Sequence, residues 1–121
     1  MTAHDRPTFE LSSSVEKGSL VLHLKGRLMD QQQADQLMAA LDSELSKGHK
    51  TVILDLSELQ YMNSTGLNIL INVLTRTRNA GGDTLIAGVS NSVRQLFVVT
   101  KLDTVFIMTE SVEEAVAKIS A

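Results

Sequence analysis

Residues Leu54 to Leu67 read L-D-L-S-E-L-Q-Y-M-N-S-T-G-L. The β-branched run that leads in, Thr51 to Leu56, carries apolar residues on both faces, the mark of a strand in the middle of a sheet. A short polar loop follows. Ser64 and Thr65 then open a helix that runs to about Ala80 and stops at Gly81-Gly82. A strand, a loop and a helix in that order make one step of an alternating α/β chain.

The same alternation extends on both sides. Upstream, Phe9 and Leu11 alternate with Thr8, Glu10 and Ser12, a Glu16-Lys17-Gly18 turn follows, and Leu20, Leu22 and Leu24 alternate with Val21, His23 and Lys25. This predicts an antiparallel pair whose second strand ends at Gly26. Asp30 is a candidate N-cap for a helix carrying Ala34, Leu37, Met38, Leu41 and Leu45, closed by Lys47-Gly48. Downstream come a strand at Asp83–Val89, a helix at Ser90–Thr100 with Val93, Leu96, Phe97 and Thr100 on one face, and a strand at Thr104–Met108. Ser111 caps a final helix, with Glu114 at the capping-box position. The order is β-β-α-β-α-β-α-β-α, which implies a mixed sheet with right-handed crossovers. Residues 1–7 read as a frayed tail and 8–121 as a single domain.

Composition narrows the function. The chain has 121 residues, no cysteine and a formal net charge of -3. Disulfides, thiolate metal sites and cysteine nucleophiles are excluded. Its 11 basic residues form no run and aromatics make up only 3% of the chain, so nucleic acid is not an expected partner. Nothing at the N-terminus resembles a signal peptide and no apolar run reaches the length of a membrane span, so the expected location is the cytoplasm. His4, His23 and His49 lack metal-ligand spacing and read as solvated surface residues; neither a metal nor a cofactor is expected. Ser64 lies outside any G-x-S-x-G elbow and no histidine can be assigned to it, so hydrolase chemistry is not supported. Asp55 and Glu58 read as structural.

The candidate site is therefore the mouth of the helix at Ser64. Hydroxyls there stand beside backbone N–H groups without intrahelical partners, at the positive end of the helix dipole, which is good ground for a phosphate. Asn63, Ser64 and Thr65 are all capping-type residues, yet one cap needs one oxygen. Gly66 follows inside the first turn, where glycine costs about 1 kcal/mol relative to alanine. Its missing side chain is read as clearance for something that approaches the hydroxyls. On the same helix Leu67, Leu70, Ile71 and Leu74 form the apolar face. Ile69 and Val73 fall away from it, either covered by a neighbouring helix or displayed to a partner. Asp30 is either a plain cap or, if the two loops lie side by side, a neighbour of Ser64.

The segment D-L-S-E-L-Q-Y-M-N-S-T-G-L, together with G-R-L-M-D at Gly26–Asp30, the G-G-D strand start and V-R-Q-L-F-V-V-T-K-L-D, resembles the STAS domain. More narrowly it resembles the bacterial anti-sigma factor antagonists. The resemblance runs from about Thr8 to Ile119. It implies the STAS fold, a single mixed β-sheet of about five strands with four helices. It also implies a binding protein rather than an enzyme, a monomer when free. The unphosphorylated form binds an anti-sigma factor that is itself a serine kinase and so frees the sigma factor. The kinase then phosphorylates Ser64, and a metal-dependent serine phosphatase resets it. The implied contact residues are Asp30, Asn63, Ser64, Thr65, Gly66, Ile69 and Val73. Two positions depart from the family pattern: Asn63 stands where the family usually has Asp, and the extra residue in G-R-L-M-D leaves Met29 or Asp30 in the acidic position of the first loop. The alternative is a STAS subunit of a transporter or signalling scaffold in which Ser64 is never phosphorylated.

Overall fold

The computed structural model describes residues 9–120; the expected tail at 1–7 and the strand start at Thr8 lie outside them. Strands β1 (Phe9–Glu16), β2 (Ser19–Leu28), β3 (Thr51–Met62), β4 (Asp83–Ala87) and β5 (Ile107–Thr109) form one sheet in the order β1-β2-β3-β4-β5. β1 and β2 are antiparallel and the remaining pairs are parallel. Helices α1 (Gln31–Ser46), α2 (Ser64–Asn79) and α3 (Asn91–Val99) connect the parallel strands, and α4 (Val112–Ser120) ends the fold. Element order and mixed sheet are those expected from the sequence. The hairpin turns through Lys17 and Gly18, at φ 51° and 84°, the left-handed pair that a two-residue turn needs.

The two sheet faces are covered unequally. Leu20, Leu22 and Leu24 of β2 pack with Leu54 and Leu56 of β3 under α1, α2 and α3. On the opposite face Val21, Ile53, Leu85 and Ala87 pack only against α4, through Ala115 and its neighbours. Most of the hydrophobic burial that holds the domain together therefore lies on the first face.

Several boundaries differ from those expected, and β4 ends at Ala87 rather than Val89. β2 does not end at Gly26 but passes through it at φ 94° and continues to Leu28. β3 does not give way to a loop after Leu56 but runs to Met62. The register between β2 and β3 shifts twice, between His23 and Lys25 and between Gly26 and Arg27, each time with an extra residue in β3. Each bulge turns a spacing of two into a spacing of three, so Leu56, Leu59 and Met62 all stay on the buried face. Alternation is broken in the sequence but preserved in space. The last strand starts at Ile107, because Lys101 at φ 63° and a 3-10 turn at Leu102–Thr104 first fold Phe106 back onto Phe97, edge to face at 5.6 Å.

Candidate functional site

The bulged end of β3 delivers the chain to α2 with a single residue, Asn63, between strand and helix. Asn63 is the cap. Its Oδ1 accepts from Gly66 N at 2.9 Å, and its Nδ2 donates to Met29 O at 3.3 Å. An asparagine can do both at once; an aspartate could only accept. The amide thus caps α2 and clips it to the end of β2, where Leu28 pairs with Met62.

With the cap supplied by Asn63, the Ser64 hydroxyl is left over. Ser64 is exposed, and its Oγ makes no hydrogen bond to another described residue. Thr65 is half-buried. Gly66 is buried for a reason other than the one inferred from sequence. A Cβ there would collide with the Leu28 carbonyl oxygen and lie 2.7 Å from Met62 Cγ. The glycine lets α2 seat against β2; it does not clear space for a visitor.

Asp30 caps α1 in a full capping box. Its Oδ1 accepts from Gln33 N at 3.2 Å, and Gln33 Oε1 accepts from Asp30 N at 3.1 Å and Met29 N at 2.7 Å. The two loops do lie side by side, but they touch through Asn63 and the Met29 carbonyl, while the Asp30 carboxylate serves its own helix.

Ile69 and Val73 are not displayed. They are 1% and 0% exposed and belong to the main core. Helix α2 packs against both α1 and the sheet, so its buried arc takes in Gly66, Leu67, Ile69, Leu70, Val73, Leu74 and Thr77. A stripe sized for one neighbour was too narrow for two. The apolar surface beside Ser64 comes instead from Tyr61, 45% exposed, and Val99 of α3, 63% exposed. Between them runs a groove of about 500 Å³ lined by Tyr61, Met62, Ser64, Val93, Leu96 and Val99. Among the described residues no charged side chain lines it. The Arg27 guanidinium lies 5.2 Å from the Tyr61 ring centroid. Val99 had a readable signal, since it lies off the face shared by Val93, Leu96, Phe97 and Thr100. Tyr61 had none, because its exposure depends on the bulge.

The histidines need one correction. His23 and His49 are half-buried and paired, with Asp55 at 2.8 Å and Glu44 at 2.9 Å, rather than solvated; His4 lies outside the described residues. Among the described residues no cluster of His, Cys, Asp or Glu could hold a metal ion, and no helix is long and apolar enough to cross a membrane.

The family model described as "STAS domain" matches residues 10–115. A Bordetella bronchiseptica protein named "Putative anti-sigma factor antagonist BtrV" is 31% identical over 100 residues, spanning 83% of this chain and 85% of the relative. The anti-sigma factor antagonist SpoIIAA in its unphosphorylated form superposes with a TM-score of 0.75 at 25% identity, covering 93% of this chain and 96% of that one. The phosphorylated form of the same Bacillus cell fate determinant superposes at 0.69 with 23% identity, covering 92% and 98%.

Proposed function

The chain belongs to the STAS domain family and within it to the anti-sigma factor antagonists, a family of binding proteins without enzymatic activity, and from that premise we propose that it is a partner switch governed by Ser64. Membership implies an anti-sigma factor as partner. In the proposed cycle that partner is also a serine kinase. The unmodified antagonist binds it and releases the sigma factor, phosphorylation of Ser64 ends the binding, and a metal-dependent serine phosphatase restores it. The observation that carries the reading is the exposed Ser64 hydroxyl, left free because Asn63 does the capping, at the edge of an uncharged apolar groove. That SpoIIAA exists in both phosphorylated and unphosphorylated forms supports the same reading.

The physics of the switch is local. Phosphate adds about -1.5 to -2 charges where the partner meets neutral, apolar surface, so docking weakens through desolvation and repulsion without refolding. The antagonist itself tolerates the modification, since Ser64 is the first residue of α2 and the helix N-terminus favours an anion. Incubation with an anti-sigma factor kinase and ATP is expected to label Ser64, and Ser64→Ala is expected to abolish the label. A label on Thr65 alone would assign the switch to the wrong hydroxyl. Ser64→Asp is expected to weaken kinase binding roughly 30-fold, the equivalent of about 2 kcal/mol. Unchanged affinity would sink the charge mechanism.

A further inference from the structure

On the sheet face that α4 covers only in part, three side chains from adjacent strands are joined in a line. Ser14 Oγ on β1 lies 3.1 Å from His23 Nε2 on β2, and His23 Nδ1 lies 2.8 Å from Asp55 Oδ2 on β3. Alternation places His23 and Asp55 on the face of Val21 and Ile53, which pack against α4. The other carboxylate oxygen, Oδ1, accepts from Ser57 N at 3.1 Å and Ser57 Oγ at 2.7 Å. Asp55 is thus locked in place by the first bulge of β3. Burial opposes its ionisation, but the hydrogen bonds from Ser57 and His23 outweigh that and hold its carboxyl below the ordinary carboxylate range.

An ionised carboxylate only accepts, so Nδ1 of His23 carries a proton, and in the neutral ring Nε2 is an acceptor for the Ser14 O–H. Hydroxyl, imidazole and carboxylate in this connectivity are the parts that activate serine in acyl transfer. A cavity of about 540 Å³, lined by Glu10, Ser12, His23, Lys25, Gln36 and Glu58 among others, reaches the imidazole, while the half-buried Ser14 does not line it. None of this contributes to the mouth of α2.

We propose that Ser14 is an activated nucleophile and a covalent acylation site for activated esters, with His23 as its general base and Asp55 as the positioning residue. Ser14 Oγ attacks the acyl carbon as its proton passes to His23 Nε2. The new O–C bond forms, the bond to the leaving group breaks with its electron pair, and the imidazolium returns the proton to the departing alcohol or phenol. The products are O-acyl-Ser14 and the free alcohol. The inference is one stoichiometric transfer, not turnover.

The test uses the whole chain with p-nitrophenyl acetate and, separately, a fluorophosphonate, and maps adducts by peptide mass spectrometry. Ser12 and Ser13 on the same strand are internal controls. Ser14 is expected to react on the order of 100-fold faster than either, the gain a positioned general base supplies. His23→Gln is expected to remove most of that advantage, as is Asp55→Asn, while circular dichroism stays unchanged. If Asp55→Asn does not fold, the half-exposed His23 decides alone. Labelling of Ser14 no faster than Ser12 and Ser13, or labelling indifferent to His23→Gln, overturns the proposal. Neither outcome bears on Ser64, whose role is read from kinase labelling.

Discussion

Helices α1 and α2 begin at the same end of the sheet, and their first turns are finished differently. At α1 the cap is charged and closed on itself: Asp30 accepts from Gln33 and Gln33 reaches back to Asp30 and Met29. At α2 the cap is the neutral Asn63, which spends its second hydrogen bond on Met29 just past the end of β2, and the hydroxyl that follows makes no hydrogen bond to another described residue. Neither helix has an acidic side chain in its first turn, so α2 has no anion of its own at its positive end. In the proposed cycle, capping and switching thereby fall on neighbouring residues. The proposed phosphate would then come and go at Ser64 while Asn63 keeps the helix in place.

That separation requires the rest of α2's first turns to be core, and the largest expected effect tests this. Ile69→Glu places an unpaired carboxylate at a side chain 1% exposed, a change expected to cost more than about 4 kcal/mol and to abolish cooperative urea unfolding. A stable Ile69→Glu protein that merely loses partner binding would restore Ile69 to the surface and dissolve the contrast. Gly66→Ala comes next and turns on a sign. Helix propensity alone predicts a gain of about 1 kcal/mol. The Leu28 carbonyl in the way of a Cβ predicts a loss of about 1–3 kcal/mol instead, read from the urea midpoint. A gain would mean that α2 does not seat against β2 as described.

How much of this could be read beforehand differs between the two helix starts. The α1 cap was legible, because Asp30 stands one residue before a clean helical repeat. The Ser64 loop was legible as a candidate, since adjacent hydroxyls at a helix mouth are a local pattern. Its surroundings were not. Leu56, Leu59 and Met62 are three apart, so the second half of β3 looks like loop until the bulges opposite β2 are known. Gly66 stood out as costly, but its neighbour, Leu28, is distant in sequence. Ile69 and Val73 were misread because the width of a helix's buried arc depends on how many elements it touches, which the helix alone does not encode.

Removing each cap sharpens the comparison at a smaller scale. Asp30→Ala and Asn63→Ala are each expected to cost about 1 kcal/mol of unfolding free energy. Only Asn63→Ala is expected to weaken partner binding as well, since only it frees the mouth of α2 from Met29. Equal binding losses in titration calorimetry would show that both helix starts serve the partner. Asp55, at the first bulge on the way to α2, gives the pH counterpart. Its folded pKa lies below the ordinary 3.8, so its contribution is full above that range and fades as the pH falls through the lowered value. The stability gap between wild type and Asp55→Asn is therefore expected to narrow on acidification below 3.8. A gap that is constant with pH would assign the loss to packing rather than to charge.

The smallest expected effect carries the most information about the cap itself. Asn63→Asp keeps the oxygen that accepts from Gly66 and adds a negative charge at the N-terminus of α2, worth about 0.3–1 kcal/mol in favour. It also removes the donor to Met29 O and brings a second acceptor against that carbonyl, a loss of about 0.5–1.5 kcal/mol. The two nearly cancel, and a change in unfolding free energy within about 0.5 kcal/mol is expected. A clear gain would mean that the Met29 contact is worth little and that Asn63 acts as a cap only. A loss above about 1 kcal/mol would show that the clip to β2, rather than the helix dipole, holds the mouth of α2 in place. In either case the sign tells which of its two hydrogen bonds makes the neutral amide the better residue beside a serine that, in the proposed cycle, gains and loses a phosphate.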